Sequence, residues 1–125
     1  MKGIYLLLIY LKKDSKIKVG SLGKIDFKKG YYIYVGSAQN SLEHRIKRHM
    51  SKNKKKFWHI DYLLLNKNAK IIDIFYKEAK KSEECKTASK LLKILTPIEK
   101  FGCSDCKCKS HLFFKNLNSS DKLRI

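Results

Sequence analysis

The stretch that decides the fold runs Tyr31-Tyr-Ile-Tyr-Val-Gly-Ser-Ala-Gln-Asn-Ser-Leu-Glu-His-Arg-Ile-Lys-Arg-His49. Its apolar and aromatic first part predicts a β-strand that reaches Gly36. A short helix over about 41–51 follows and opens at Asn40 or Ser41, since both residue types are common helix caps. The stretch therefore predicts a strand that turns directly into a helix.

That helix carries the polar side chains from which a functional site can be argued. Glu43 stands three residues after Asn40, in the spacing of a capping box. Arg45 and His49 are four residues apart, so the helix presents both from one face. A cation and an imidazole are thus expected together beside the turn.

The rest of the chain predicts further short elements around this unit. Alternation, apolar runs and turn residues indicate strands at 3–11, 70–76 and 110–114, a hairpin over 16–30, and helices over 57–65 and from Ser82 to the Thr96-Pro97 step. The continuous apolar run 3–11 suits a strand covered on both faces. The order favours a single α+β domain over 1–125, with a small mixed, mainly antiparallel sheet flanked by helices.

The last helix holds an acid on its apolar side. Counting from Glu84, the positions four, seven, eight and eleven residues on are Ala88, Leu91, Leu92 and Leu95. Counting from Glu83, the positions four and seven residues on are Thr87 and Lys90. Glu84 is therefore expected to face inward, where a carboxylate is costly unless it meets a cation or a metal.

Composition limits the classes of function. The chain has 125 residues, 43% hydrophobic, which excludes general disorder, and its 29 Lys and Arg against 11 Asp and Glu leave a net charge of +18. Nucleic acid is the leading partner for such a charge; an anionic membrane surface comes second, and a solvated lysine-rich surface is the alternative. The run 3–11 is too short to span a bilayer, and no cleavage site follows it, so we expect a cytoplasmic protein with reduced cysteines and no membrane partner.

Two motifs carry a resemblance to a known family. Gly3-Ile4-Tyr5, then Tyr34-Val35-Gly36, Arg45 and His49, resemble in order and spacing the GIY-YIG nuclease superfamily, and its homing-endonuclease branch in particular. The resemblance covers roughly residues 1–96, although segment 16–30 is longer than the usual gap between the motifs. The tail Gly102-Cys-Ser-Asp-Cys-Lys-Cys-Lys-Ser-His111 resembles that of a small, poorly characterised subgroup.

The resemblance implies a role for each of five side chains. Tyr5 and Tyr34 would lie side by side on adjacent strands and bracket the attacking water, one of them as proton acceptor. Arg45 would clamp the scissile phosphate, and its forked guanidinium suits a pair of phosphate oxygens. His49 would relay a proton or hold the phosphate, and Glu84 would be the ligand of a single Mg²⁺ or Mn²⁺ ion. Taken singly, each side chain could instead serve packing, surface charge or a lysine ion pair.

The basic residues beside the helix are candidates for binding the nucleic-acid backbone. They are Lys47, Arg48, Lys54, Lys55 and Lys56. A charge run is also typical of a solvated loop, so their contribution is a hypothesis.

The cysteine-rich tail suggests a second metal. Cys103, Cys106, Cys108 and His111 follow a C-x-x-C-x-C-x-x-H spacing and offer enough ligands for Zn²⁺, although unusually close together. A redox-active or disulfide-forming Cys103–Cys106 pair, or packed thiols, are the alternatives. Cys85 is interpreted as a core residue.

Together these features predict a divalent-metal-dependent DNA endonuclease, with DNA repair or recombination as a possible setting. The alternative is a non-catalytic nucleic-acid-binding module of the same fold. A third hypothesis makes the tail a zinc-dependent docking element for a partner. The preferred DNA structure and the oligomeric state are left open by the sequence.

Overall fold

The computed structural model describes residues 1–103 and 108–115, and every structural statement below concerns these residues. The strands are β1 (Gly3–Leu11), β2 (Ser15–Lys18), β3 (Lys24–Phe27), β4 (Gly30–Ala38), β5 (Ala69–Glu78), β6 (Thr96–Pro97) and β7 (Leu112–Lys115). The helices are α1 (Leu42–Met50), α2 (His59–Leu64) and α3 (Ser82–Leu92). A 3₁₀ turn at Gly20–Leu22 joins β2 to β3. Each predicted element is present, with bounds shifted by a few residues.

Five strands form the main sheet in the order β5-β1-β4-β7-β6, and β2 and β3 form a separate hairpin. All strand pairs in the described part of the chain are antiparallel. β1 pairs with β4 on one edge and with β5 on the other. Its side chains are buried on both faces of the sheet, which explains its continuous apolar sequence. The predicted α+β class with a mainly antiparallel sheet is confirmed.

Side chains of β1 and β4 alternate between the two faces of the sheet, so each face has an apolar core on which helices pack. Tyr5, Leu7, Tyr32 and Tyr34 belong to the larger core, which also contains buried residues of α1 and α2. The intervening residues of the same strands face a smaller core with α3, formed by Leu6, Ile33, Val35, Ala88, Leu91 and Phe113. This alternation with a period of two residues fixes which side chains of β1 and β4 point toward α1.

Helix α1 begins at Leu42, and its N-cap is Ser41 and not Asn40. The Ser41 hydroxyl accepts a hydrogen bond from the backbone N–H of His44 at 3.2 Å. Glu43 does not complete a capping box with Asn40; its carboxylate accepts from the Ser41 hydroxyl at 3.2 Å instead. Ser41 therefore determines where the helix that carries Arg45 and His49 begins.

Helix α3 ends at Leu92, four residues earlier than the Thr96-Pro97 step, and Thr96–Pro97 form β6 at the sheet edge. Pro97 lacks a backbone N–H, which an edge strand tolerates. None of the helices in the described residues combines the length and the apolar character needed to cross a membrane.

Candidate active site

A polar cleft of about 570 Å³ opens where β1, β4, α1 and α3 come together. The ionisable and aromatic side chains that can take part in binding or catalysis line it as follows: Tyr5, Tyr34, Arg45, Trp58, His59, Lys81, Glu84 and His111. Of the five side chains assigned catalytic roles from the sequence, four line this cleft. The fifth, His49, lies behind Tyr5 and does not line it.

The two tyrosines project from neighbouring strands onto the same face of the sheet. Tyr5 pairs with Gly36 and Leu7 pairs with Tyr34, so the tyrosines are diagonal neighbours with ring centroids 6.4 Å apart. The Tyr5 ring crosses directly over Gly36, since a Cβ at that position would lie 2.3 Å from the Tyr5 hydroxyl oxygen. A glycine inside a strand often marks such a close approach, and this was the available sequence signal for Gly36.

Tyr5 is held by His49 from the protein interior. The Tyr5 hydroxyl and His49 Nε2 are 2.7 Å apart, and both residues are buried. Burial lowers the pKa of His49 to about 3, helped by the nearby positive charge of Lys54, so this imidazole is neutral at pH 7. Burial also raises the pKa of Tyr5 above its ordinary value, and the Arg45 guanidinium opposes that rise only in part. Burial raises the pKa of Tyr34 well above its ordinary value too, so both tyrosines are protonated at neutral pH.

Arg45 is aimed into the cleft by two contacts. It donates to the backbone carbonyl of Ser37 at 3.0 Å, and its guanidinium lies 4.4 Å from the centroid of the Trp58 ring. Arg48 lies 4.3 Å from the centroid of the same ring. Trp58 thus stacks with both guanidiniums, and such stacking restricts the orientation of Arg45.

Glu84 enters the cleft from the first turn of α3. Its side chain is 17% exposed, whereas that of Glu83 is 36% exposed and pairs with Lys86 at 3.3 Å. Glu84 Oε1 lies 4.0 Å from His111 Nδ1. Among the described residues that line the cleft, Glu84 is the one acid, and it stands among the cations Arg45 and Lys81.

His59 closes another side of the cleft. Its Nδ1 accepts a hydrogen bond from the backbone N–H of Gly102 at 2.9 Å, so the ring proton is on Nε2. Burial lowers the pKa of His59, which favours this neutral form. The contact ties the segment before β7 to the start of α2.

Asp61, which was not predicted from the sequence, organises the region behind Arg45. This carboxylate is completely buried and receives two bonds of 2.9 Å from the Arg48 guanidinium. It also accepts from the backbone N–H groups of Phe57 and Trp58, each at 2.8 Å. These bonds and the positive charge of Arg48 outweigh the effect of burial and lower the pKa of Asp61, which keeps it ionised. The acid therefore fixes Trp58, and through it Arg45.

The five basic residues predicted to bind nucleic acid divide into two groups. Lys47, Lys55 and Lys56 are exposed. Arg48 is engaged by Asp61, and the Lys54 ammonium donates to the backbone carbonyls of Arg48 and His49, both at 3.0 Å. The Lys54 side chain is only 5% exposed. Lys54 and Arg48 thus contact groups within the protein, whereas the other three carry exposed charge, with the Lys56 ammonium 5.1 Å from the centroid of the Tyr62 ring.

Of the four predicted zinc ligands, the described residues bring two together. Cys106 lies outside the described residues, and the group of close ligand atoms contains Cys108 and His111 but not Cys103. Its third member is Cys85, which is not a core residue as interpreted but half-buried on α3 and disulfide-bonded to Cys108. The Cys103 thiol donates to the backbone carbonyl of Phe101. Spacing along the tail could not reveal Cys85, because it lies 23 residues before Cys108.

The fold and the cleft define an α+β domain with a buried tyrosine pair, an arginine and one carboxylate on a common cavity. A family model described as "Domain of unknown function DUF123" matches residues 4–124. The chain belongs to this family. Neither the curated proteins nor the solved structures contain a match to the chain.

Proposed function

We propose that this chain is a divalent-metal-dependent DNA endonuclease of the GIY-YIG type. The observation that carries the proposal is the convergence of Tyr5, Tyr34, Arg45 and Glu84 on one cleft, although they come from four different elements. These residues match the positions of the GIY-YIG motifs and supply the groups that phosphodiester hydrolysis requires. A set gathered for packing alone would not need to bring a carboxylate and a guanidinium together beside two tyrosine hydroxyls.

The tyrosines and His49 are proposed to orient the attacking water. In this scheme Tyr5 donates its proton to the hydrogen bond with His49 Nε2, 2.7 Å away. The lone pairs of the Tyr5 oxygen then face the cleft, where they accept a hydrogen bond from water. As water loses its proton to Tyr5, the Tyr5 proton moves to His49. His49 is thus a positioning and relay residue behind Tyr5 and does not hold the phosphate itself.

Arg45 is proposed to hold the scissile phosphate. Its guanidinium is fixed by the Ser37 carbonyl and the Trp58 ring, so it loses little freedom when phosphate binds. Two parallel N–H bonds to phosphate oxygens would stabilise the charge that develops during attack. Lys81, on the same cleft, adds a second positive charge.

Glu84 fits the role of a Mg²⁺ or Mn²⁺ ligand. The ion prefers oxygen donors and is usually held by one or two carboxylates together with substrate phosphate and water. A single, partly buried carboxylate in a cleft that admits phosphate meets this description. When bound, such an ion supplies charge neutralisation at the transition state.

The decisive experiment compares Glu84→Gln with Glu83→Gln on labelled single-stranded, duplex and branched DNA in Mg²⁺ or Mn²⁺. We expect Glu84→Gln to lower the cleavage rate about a hundredfold or more, because several kcal/mol of transition-state stabilisation are lost. Binding should stay equal or tighten slightly, since a negative charge beside the phosphate is removed. Glu83→Gln, one residue away on the wet side of α3, should cleave as the wild type does. Equal cleavage by the two variants would contradict the role of Glu84.

A specific observation favours a second function, the non-catalytic nucleic-acid-binding module. Burial raises the pKa of Tyr5 and Tyr34 and lowers that of His49, which makes all three reluctant to exchange protons at pH 7. If wild type binds each DNA but cleaves none with either ion, the binding module is the better description. Cleavage by wild type that Glu84→Gln abolishes supports the nuclease.

A further inference from the structure

We propose that Cys85, Cys108 and His111 form a Zn²⁺ site that joins the start of α3 to the segment entering β7. The inference does not depend on the proposed nuclease activity, because its test measures metal content and coordination. It also differs from a site built within the tail, since one ligand comes from α3.

The three residues bring their ligand atoms into one place. Two cysteine sulfurs and a histidine nitrogen all lie within 4.8 Å of one another, and the Cα atoms of Cys85 and Cys108 are 6.2 Å apart. A tetrahedral ion with ordinary Zn–S and Zn–N bonds separates its ligand atoms by about 3.5–3.8 Å. Small side-chain movements are therefore enough to place all three around one ion.

The environment of His111 suits a metal ligand. The side chain is buried, and Nδ1 is 3.2 Å from the backbone carbonyl of Val35. A carbonyl oxygen can only accept, so Nδ1 carries the proton of the neutral ring and Nε2 carries the lone pair. Histidines bound to zinc commonly donate their other ring N–H to a carbonyl in this way.

Thiolate and imidazole ligands select zinc over the hard ion expected at Glu84. Mg²⁺ and Mn²⁺ prefer oxygen, whereas two thiolates and an imidazole suit Zn²⁺. The structure records Cys85 and Cys108 as a disulfide, and that bond and the zinc site exclude each other. Binding requires the reduced pair; each thiol loses its proton to solvent as it binds, so no electron transfer is involved.

The site would fix the wall of the polar cleft. Cys85 follows Glu84 directly on α3, and His111 lines the cleft with its Nδ1 4.0 Å from Glu84. A metal shared by α3 and the segment before β7 would hold these two walls at a constant separation. The metal would bind His111 through Nε2, the ring nitrogen that does not face the Val35 carbonyl.

The test uses the full chain purified under reducing conditions without chelator, with zinc measured by elemental analysis. We expect one zinc per chain in the wild type and in Cys103→Ser, and less than a tenth of that in Cys85→Ser and Cys108→Ser. Cys103→Ser is the matched control, because Cys103 is a tail cysteine outside the group. Replacement of zinc by Co²⁺ in the wild type should give thiolate-to-metal charge-transfer absorption and the visible bands of a four-coordinate ion, whether or not the variants fold.

Three results would overturn the proposal. One is a reduced wild type that contains no zinc and gives no cobalt–thiolate absorption. Another is full zinc content in folded Cys85→Ser. The third is loss of zinc in Cys103→Ser with retention in Cys85→Ser, which would place the metal within the tail alone.

Discussion

Gly36 is the residue on which the placement of Tyr5 depends. No side chain fits between this backbone and the Tyr5 ring, because a Cβ would lie 2.2 Å from the ring carbon that bears the hydroxyl. Tyr5 in turn contacts His49, and its ring lies beside that of Tyr34. The absence of a Cβ at Gly36 thus allows the rings of Tyr5, Tyr34 and His49 to pack together.

We expect Gly36→Ala to reduce the free energy of unfolding by about 1–3 kcal/mol, because the core must move to admit the methyl group. Urea denaturation measures this cost. In a Tyr5→Leu background the clash is absent, so the same substitution should cost much less there. Equal costs in the two backgrounds would show that Tyr5 is not the group displaced.

His49 should make the protein sensitive to mild acid. Its pKa is about 3 in the folded chain against an ordinary value of 6.5, so between these pH values the unfolded chain binds a proton that the folded chain does not. Stability should therefore fall by about 1.4 kcal/mol per pH unit as pH drops below 6.5. His49→Gln should flatten this dependence in urea denaturation at pH 7, 6 and 5, with a residual slope from His59, whose pKa is also lowered.

His44→Gln is the control for that series, since His44 lies on the same helix but is exposed. Its profile should follow that of the wild type. A His49→Gln profile as steep as the wild-type profile would mean that other groups cause the acid sensitivity.

At the scale of elements, α2 depends on a buried ion pair. Helix α2 has only six residues, too few to be stable by itself. Asp61 holds its first turn by accepting from two backbone N–H groups, and Arg48 joins it to α1. The position of α2 relative to α1 is therefore set by charge as well as by apolar packing.

Asp61→Asn should cost about 3–5 kcal/mol of stability, because it removes the buried negative charge that pairs with the Arg48 guanidinium and with the Lys54 ammonium, whose side chain is only 5% exposed. Thermal or urea unfolding checks this value. Asp26→Asn is the control, since Asp26 is exposed and its ion pair with Lys16 spans 3.9 Å; its effect should stay within about 0.5 kcal/mol. A similar small effect for Asp61→Asn would show that the pair does not hold the two helices.

For the whole molecule, the net charge of +18 should dominate any binding to DNA. Affinity should fall steeply as salt rises, and each of Lys47→Gln, Lys55→Gln and Lys56→Gln should reduce the slope of log affinity against log salt by about 0.9 if that lysine contacts a phosphate. Lys16→Gln, a charge-matched change on the β2–β3 hairpin, should leave the slope unchanged. A shallow slope in the wild type would argue against DNA as the partner.

The sequence predicted those features that repeat locally. The alternation in β1 and β4 and the apolar spacing in α3 are short-range patterns, so the strands, α3 and the inward side of Glu84 followed from them. Asp61 did not, because nothing near it in sequence shows that Arg48, on another helix, will neutralise it. The burial of Lys54 did not follow from the sequence either, because a lysine that turns inward has the same local pattern as one in solvent. The proximity of Cys85 and Cys108 could not be predicted either, because it arises only when α3 packs against the segment that leads to β7.

The position of β7 beside β4 also fixes the order in which the cleft is built during synthesis. Between these two strands the chain contains α1, α2, β5, α3 and β6, yet β7 pairs with β4 and not with any of them except β6. A ribosome releases the segments that carry Tyr5, Tyr34 and Arg45 first and the wall formed by Gly102 and His111 much later. A nascent chain can therefore pair β1 with β4, but its cleft stays incomplete until β7 has left the exit tunnel.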